Sequence, residues 1–212
     1  MLLLKYFLFA VVCAVGYAQT VYELVPGSKN NLFELILSNS TMKAVQSVNI
    51  AVQEAPEWIE FNDNEIYFEK ITKSDKQTAQ FYFNVSGNAT VGEDATIGFR
   101  ITDQTGKNWF KSYNVKVTPP SVFEVFQNYP NPFNPSTTIK YSIPQDALVT
   151  IKVFNVLGEE ISVLVNKEMK AGMHEEVFDA TNISSGFYIY IVEAKGIDET
   201  KYFDSKKMLL VK

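Results

Sequence analysis

The chain offers few side chains for nucleophilic, acid–base or metal chemistry. Among its 212 residues there is one histidine, His174, and one cysteine, Cys13. A lone imidazole cannot complete a metal site of the usual nitrogen and sulfur ligands, and as a general base it needs a nucleophile and an orienting carboxylate within reach. His174 lies in a segment with the alternating pattern of a β-strand. We therefore expect it to be an exposed strand histidine rather than a catalytic residue.

Carboxylates are the next candidates for chemistry. Asp63 with Glu65, and Glu93 with Asp94, lie in predicted loops and could bind calcium through oxygen ligands. Their spacing matches no EF-hand, and acidic turns are ordinary solvated surface. Nucleophile-elbow, phosphate-loop and dinucleotide motifs are absent from the sequence. The sequence thus predicts no catalytic residue, no cofactor and no metal site, and we expect a protein that is not an enzyme.

Aromatic residues are abundant, with 11 Tyr and 16 Phe. If Tyr67, Tyr82, Trp109 and Phe110 shared one exposed sheet face, they could stack on sugar rings. Aromatic side chains also suit ordinary strand packing. A surface carbohydrate-binding module, with a cell-surface polysaccharide as partner, is therefore kept as an alternative.

The first eighteen residues have the pattern of a secretory signal peptide. Lys5 precedes an apolar run over Leu8–Val15, and the small residues Gly16 and Ala18 follow it. We predict cleavage between Ala18 and Gln19. The run is short for a bilayer span, so we expect no transmembrane segment in the mature chain, and an uncleaved anchor is the alternative. Cleavage also removes Cys13, which excludes disulfides from the mature protein.

The charge balance argues against nucleic-acid binding. The chain has 19 basic and 24 acidic side chains and a formal charge of −5. Removal of the leader takes Lys5 away, leaving 18 basic residues and a charge of −6. Nucleic-acid affinity comes mostly from clustered Lys and Arg, and here Arg100 is the only arginine.

Residues 19–118 predict an antiparallel β-sandwich with an immunoglobulin-like fold. Apolar residues alternate with polar ones in short runs, and turns rich in Gly, Asn and Asp separate the runs. About seven such runs in a hundred residues are typical of this architecture. The opening VPGSKNNLFELILSN (25–39) resembles bacterial immunoglobulin-like surface domains. The six clearest runs are Leu32–Leu37, Val45–Val52, Ile66–Ile71, Phe81–Val85, Ile97–Ile101 and Tyr113–Val117.

A proline-containing linker, 119–125, separates this module from a second small sandwich over 126–212. Pro119 and Pro120 cannot donate to a sheet and restrict the residues before them. Period-two alternation then resumes in five runs. These are Ile139–Ile143, Ala147–Val153, Ile161–Val165, Phe187–Ile191 and Met208–Val211.

Four motifs stand in order within this second module. They are NYPNPFNPSTTIKYSIP (128–144), VFNVLGEEI (153–161), SSGFYIYIVEA (184–194) and KKMLLVK (206–212). Together they resemble the type A C-terminal sorting domain carried by cargo of the bacterial type IX secretion system. The resemblance implies a β-sandwich fold, export by the type IX translocon and removal of the domain by a sortase-like peptidase at the cell surface.

The resemblance implicates particular residues in sorting. We expect the prolines to hold an extended arm whose rings, Tyr129 and Phe133, pack on the sandwich, although a polyproline ligand for a partner is an alternative. Gly158 and Gly186 are expected at turns that need positive φ. The lysines around the last strand suit either receptor recognition or edge protection. The sorting residues are Tyr129, Pro130, Asn131, Pro132, Phe133, Gly158, Gly186, Tyr188, Lys207, Met208, Leu209, Leu210, Val211 and Lys212.

The sequence as a whole predicts an all-β chain of two tandem sandwiches. We expect a non-enzymatic bacterial protein that crosses the periplasm and the outer membrane and is then secreted or attached to the cell surface. Its first module would have a structural or adhesive role. The alternatives are the carbohydrate-binding module and an accessory fragment of a larger secreted enzyme system.

Overall fold

All regular secondary structure is β-strand in the residues that the structure, a computed structural model, describes: 3–8 and 21–212. The all-β prediction is confirmed. No helix in this part of the chain has the length and apolarity needed to cross a membrane. The predicted cleavage site, Ala18 and Gln19, lies outside the described residues. The strands are β1 Leu3–Leu8, β2 Val21–Leu24, β3 Asn31–Ser38, β4 Val45–Glu54, β5 Ile59–Phe61, β6 Glu65–Ile71, β7 Lys76–Val85, β8 Asp94–Thr102, β9 Asn108–Val117, β10 Glu124–Val125, β11 Ser136–Ile143, β12 Ala147–Asn155, β13 Glu160–Met169, β14 Gly172–Asp179, β15 Gly186–Gly196 and β16 Lys201–Leu210.

The chain divides into two compact units. The described part of the first comprises Leu3–Leu8, Val21–Leu24 and Ser28–Thr118, and the second comprises Val25–Gly27 and Pro119–Lys212. Strand β10, at the end of the segment predicted as a linker, pairs with β11 in the second unit.

The first unit has two sheets, ordered β1-β3-β7-β5 and β2-β9-β8-β4-β6. Its core is built from the alternating residues that the sequence indicated, such as Phe81, Ile97 and Phe99, all 0% exposed. Most strand pairs are antiparallel, but β1 runs parallel to β3 and β2 runs parallel to β9. If residues 1–18 are removed as predicted, β3 becomes an edge of its sheet.

The second unit also has two sheets, ordered β10-β11-β14 and β13-β12-β15-β16; we call the latter the terminal sheet. Ile139, Val149, Ile151 and Val153 are fully buried between them. Burial of each such side chain stabilises the fold by about 1.5–3 kcal/mol.

In strand β15 the even-numbered residues face the core, whereas the alternation predicted that the odd-numbered ones would. The run Phe187–Ile191 was expected to be buried through its odd-numbered residues, but Phe187 is 47% and Ile189 38% exposed. Tyr188 and Tyr190 point into the core instead, at 7% and 0% exposed. The segment FYIYIV is apolar on both faces, so alternation alone does not fix which face is buried.

Candidate functional site

Two of the predicted sorting segments lie side by side in the second unit. The arm, defined here as Gln127–Pro135, runs along the free edge of β16. The Phe133 amide donates to the Leu209 carbonyl at 2.9 Å, and the Val211 amide donates to the Phe133 carbonyl at 3.0 Å. Phe133 and Leu210 form a parallel bridge. The arm therefore acts as a short additional strand on the edge of the terminal sheet.

Side chains of the arm satisfy further backbone groups of β16. The Leu209 amide donates to Asn131 Oδ1 at 3.0 Å, and Gln127 Nε2 donates to the Lys207 carbonyl at 2.8 Å. An unpaired strand edge is a template for association with other strands. From Lys207 to Val211 the arm covers that template.

The two rings of the arm have different environments. Phe133 is 2% exposed, and its ring lies 6.0 Å from that of Phe178 in the core. Tyr129 is 78% exposed, although its backbone exchanges two hydrogen bonds of 3.0 Å with Thr138. The prediction that both rings pack on the sandwich is correct for Phe133 and wrong for Tyr129.

A buried polar network holds the start of the arm. The Tyr190 hydroxyl donates to the Phe126 carbonyl at 2.7 Å and accepts from the Asn128 amide at 2.9 Å. The Asn128 side chain donates to Thr137 Oγ1 at 2.9 Å and to the Pro130 carbonyl at 3.1 Å. Burial raises the pKa of Tyr190 to about 12, so the hydroxyl stays protonated.

Sequence reasoning missed this network. Asn128 and Thr137 are each 2% exposed, whereas polar residues of these types ordinarily lie at the surface. The one available signal was that Asn128 stands first in the proline-rich motif and Tyr190 in the middle of a strand. Nothing in their spacing indicated that they meet.

Both predicted turn glycines take positive φ. Gly158 has φ of 81° in the β12–β13 turn, where its amide donates to the Asn155 carbonyl at 3.1 Å. Asn155 Oδ1 also accepts from the Leu157 amide at 2.9 Å, which fixes the turn. Gly186 has φ of 156° where β15 begins, opposite Leu210.

The last strand alternates between core and solvent. Met208 and Leu210 are 1% and 0% exposed, so they are core residues as well as part of the motif. Tyr188 lies opposite Met208, and its hydroxyl donates to the Ser184 carbonyl at 2.7 Å.

The chain terminus is anchored at this same end of the sheet. The Lys212 amide donates to Ser185 Oγ at 3.0 Å, and its Nζ donates to the Thr181 carbonyl at 2.7 Å. Asn155, next to the turn of Gly158, pairs with Tyr188. The arm, both glycines and the terminal strand therefore gather around one end of the terminal sheet.

The segment Gly196–Ser205, which fell outside the alternating runs of the sequence, is mostly strand. Strand β15 ends at Gly196 and β16 begins at Lys201, so only residues 197–200 connect them. The first half of β16 is an edge strand with polar residues on both faces, which explains the weak sequence signal.

His174 is half-buried on β14, contrary to the expectation of an exposed residue. Its ring stacks on Tyr141, with centroids 5.4 Å apart, and its Nε2 donates to the Lys170 carbonyl at 2.8 Å. Burial lowers the pKa of His174. Its contacts are those of a packed side chain.

The candidate calcium ligands do not assemble a site. Within residues 3–8 and 21–212, no group of three or more His, Cys, Asp or Glu side chains is placed to hold a metal ion. Glu93 accepts from Trp58 Nε1 at 2.7 Å, and Asp94 lies 3.7 Å from Lys116 Nζ.

The four rings considered for sugar stacking do not share a face. Tyr82 lies on β7, in the other sheet of the first unit from Tyr67, Trp109 and Phe110. Trp109 packs partly against the core, while its neighbour Phe110 is 70% exposed on the opposite face. The arrangement that would favour carbohydrate binding is therefore absent from the described residues.

The fold and this site define a two-sandwich chain whose second unit carries a compact group of terminal motifs. Residues 127–203 match the family model described as the secretion system C-terminal sorting domain. The chain therefore carries a C-terminal sorting domain of the type IX system, as its motifs predicted, and this domain indicates secretion or attachment at the outer surface. No curated protein matches the chain.

Similarities to solved structures are low. The chain is similar to dimeric latent PorU from Porphyromonas gingivalis, at 16% identity and a TM-score of 0.37, over 91% of this chain and 19% of that one. It is also similar to the CupB2 chaperone from Pseudomonas aeruginosa, at 7% identity and a TM-score of 0.30, over 89% of this chain and 96% of that one. For CBD12 from CALX1.2 the identity is 11% and the TM-score 0.35, over 84% and 79% of the two chains. The chain spans about a fifth of the PorU structure.

Proposed function

We propose that this is a non-enzymatic cargo protein of the type IX secretion system. A leader ending at Ala18 directs it to the periplasm, and the second unit then serves as the export signal read by the translocon. A sortase-like peptidase removes that unit as the first unit is released or attached to the cell surface. The first unit has a structural or adhesive role.

The observation that carries the proposal is the match of residues 127–203 to the sorting domain family. The gathering of the arm, the turn glycines and the terminal strand at one end of the sheet supports it, because a receptor can then contact all of them together. Two of the carboxylates considered for chemistry make ordinary surface contacts, Glu93 with Trp58 and Asp94 with Lys116, which is in keeping with a non-enzymatic role.

Truncation of the terminal strand tests the export signal. A chain lacking Met208–Lys212 should accumulate in the periplasm of the producing bacterium, while the full chain reaches the surface or the medium. This truncation also removes two core residues, so it needs a control for misfolding. Val149→Ala cuts a fully buried side chain of the same core and should cost about 2 kcal/mol or more without touching the motifs.

A second truncation separates the signal from the core. Removal of Val211 and Lys212 alone deletes exposed residues and should leave the sandwich folded. We expect both truncated chains to be retained and Val149→Ala to be exported. Appearance of the chain lacking Met208–Lys212 outside the cell, at the level of the full chain, would refute the proposal.

A further inference from the structure

The arm limits which groups of the terminal strand a receptor can bind. Strand addition, a common mode of peptide recognition, needs free backbone donors and acceptors on a sheet edge. At this edge the Lys207 carbonyl, the Leu209 amide and carbonyl and the Val211 amide are already bonded to the arm. The arm is itself anchored by the buried ring of Phe133. We therefore expect recognition at this end to use side chains more than the strand edge.

The side chains that remain available lie on the outer face of the terminal sheet. Phe187 pairs with Leu209, and Ile189 pairs with Lys207 on one side and with Phe154 on the other. These partners share the face that points away from the core, because cross-strand partners lie on the same side of a sheet.

Toward the end that carries the arm, this outer face is unusually apolar for an antiparallel sheet. Phe187, Ile189 and Val211 are 47%, 38% and 49% exposed, and Val163 on β13 is 46% exposed. The solvent face of an antiparallel sheet is ordinarily polar, and a contiguous apolar patch marks an interaction surface. We call the group Phe154, Val163, Phe187, Ile189, Leu209 and Val211, with Lys207, the outer patch.

The charges of the outer patch specify the chemistry of its partner. Lys152, at the margin of the patch, is neutralised by Glu160 at 2.7 Å. Lys207 stands over the Phe187 ring at 4.3 Å from its centroid and forms no ion pair with any residue between 21 and 212. A single unpaired cation on an apolar surface favours a carboxylate on the partner.

A lipid surface and a second copy of the chain fit less well. Binding to anionic lipid needs several cations together, whereas the patch has one that is unpaired. A second copy would present the same unpaired lysine rather than an acceptor for it.

We infer that the outer patch is the docking surface for a protein of the export apparatus, which contributes apolar side chains and a carboxylate opposite Lys207. The inference rests on the proposed function and adds the face and the chemistry by which the sorting unit is bound. The partner contacts the outward-facing residues of the terminal strand, such as Lys207 and Val211, while the buried Met208 and Leu210 stabilise the unit.

Three full-length variants test the inference by export from the producing bacterium. Ile189→Ser and Lys207→Glu alter the patch without touching the core, and Val177→Ser is the matched control, since Val177 is 65% exposed on the other sheet of the unit. We expect each patch variant to reduce the extracellular amount about tenfold, which corresponds to about 1.4 kcal/mol of lost binding. Val177→Ser should be exported normally, and the melting temperatures of all three should match that of the parent.

The outcomes distinguish the inference from the proposed function. If loss of Met208–Lys212 blocks export while Ile189→Ser and Lys207→Glu leave it unchanged, the sorting assignment stands and the outer patch is refuted. Light scattering of the purified parent and of Ile189→Ser tests self-association. If only the parent is dimeric and both proteins are exported equally, the patch binds a second copy and the inference is wrong.

Discussion

Two tyrosines in the core of the second unit, Tyr141 and Tyr190, are both fully buried but differ in the bonding of their hydroxyl groups. The Tyr190 hydroxyl donates to the Phe126 carbonyl and accepts from the Asn128 amide. The Tyr141 hydroxyl has no hydrogen-bond partner among the described residues. Replacement of each by phenylalanine removes one oxygen atom and leaves the ring, so the two variants form a matched pair.

The structure gives the size of the expected difference. Tyr190→Phe breaks two hydrogen bonds and leaves the Asn128 amide unpaired in a residue that is 2% exposed. Each lost bond costs about 0.5–1.5 kcal/mol and an unsatisfied buried group about 1–3 kcal/mol, so we expect a total loss of about 2–6 kcal/mol in the free energy of unfolding. Tyr141→Phe removes an unpaired buried hydroxyl and should leave the stability unchanged or raise it by up to about 1 kcal/mol.

Urea unfolding of a chain that lacks only residues 1–18 and keeps both units measures this difference, with two probes that report on different parts. Both tryptophans, Trp58 and Trp109, belong to the first unit, so their fluorescence follows that unit, whereas far-UV circular dichroism follows both. Tyr190→Phe should shift a circular dichroism transition and leave the fluorescence transition in place. An equal effect of the two substitutions, or a cost below about 0.5 kcal/mol for Tyr190→Phe, would refute the reasoning about the network.

Three further predictions concern the same unit. Phe133→Ala should lower the free energy of unfolding by about 3–5 kcal/mol because the ring is buried. Tyr129→Ala should change it by less than about 0.5 kcal/mol because that ring is exposed. Comparable losses for the two variants in urea unfolding would contradict the placement of the arm. Gly158→Ala should lower the free energy of unfolding by about 1–2 kcal/mol. The loss comes from the positive φ alone, since a Cβ at this position meets nothing within 4 Å. An unchanged melting temperature would show that the turn relaxes. Burial lowers the pKa of His174 below its ordinary 6.5, so as pH falls the unfolded chain takes up the proton before the folded chain does. The free energy of unfolding should therefore decline as pH falls below 6.5. A decline of the same size in His174→Gln would exclude this residue as its cause.

The sequence predicted strands where apolar and polar residues alternate strictly. Strands β7, β8 and β9 illustrate this, with Phe81, Ile97 and Val115 buried as expected. Strands β5 and β10 were missed because they have three and two residues. Strand β14 was expected only as the β segment around His174 and without bounds, because GMHEEVFD alternates weakly, with several half-buried positions.

Alternation failed where a strand is apolar on both faces or where its pairing is irregular. FYIYIV in β15 permitted either face, and packing of Tyr188 and Tyr190 decided it. In β13, a bulge opposite β12 changes the register between Val165 and Val163, so only Val165 of the predicted run is buried. A bulge of this kind leaves no signal in the residue pattern.

The sorting residues were predicted from the resemblance of four motifs, and their spatial relation was not. Sequence spacing could not show that the arm covers the edge of β16, because 76 positions separate Asn131 from Lys207. Nor could it show that the motif residues serve two purposes. Met208 and Leu210 complete the core, while Lys207 and Val211 face solvent.

The most direct test of the account is the location of the full chain in the producing bacterium with and without a functional type IX translocon. Cell fractionation and surface labelling should find the protein outside the cell in the parent strain. In the strain without the translocon, the protein should accumulate in the periplasm with its second unit still attached. An equal extracellular amount in both strains would contradict the central claim that the second unit directs type IX export.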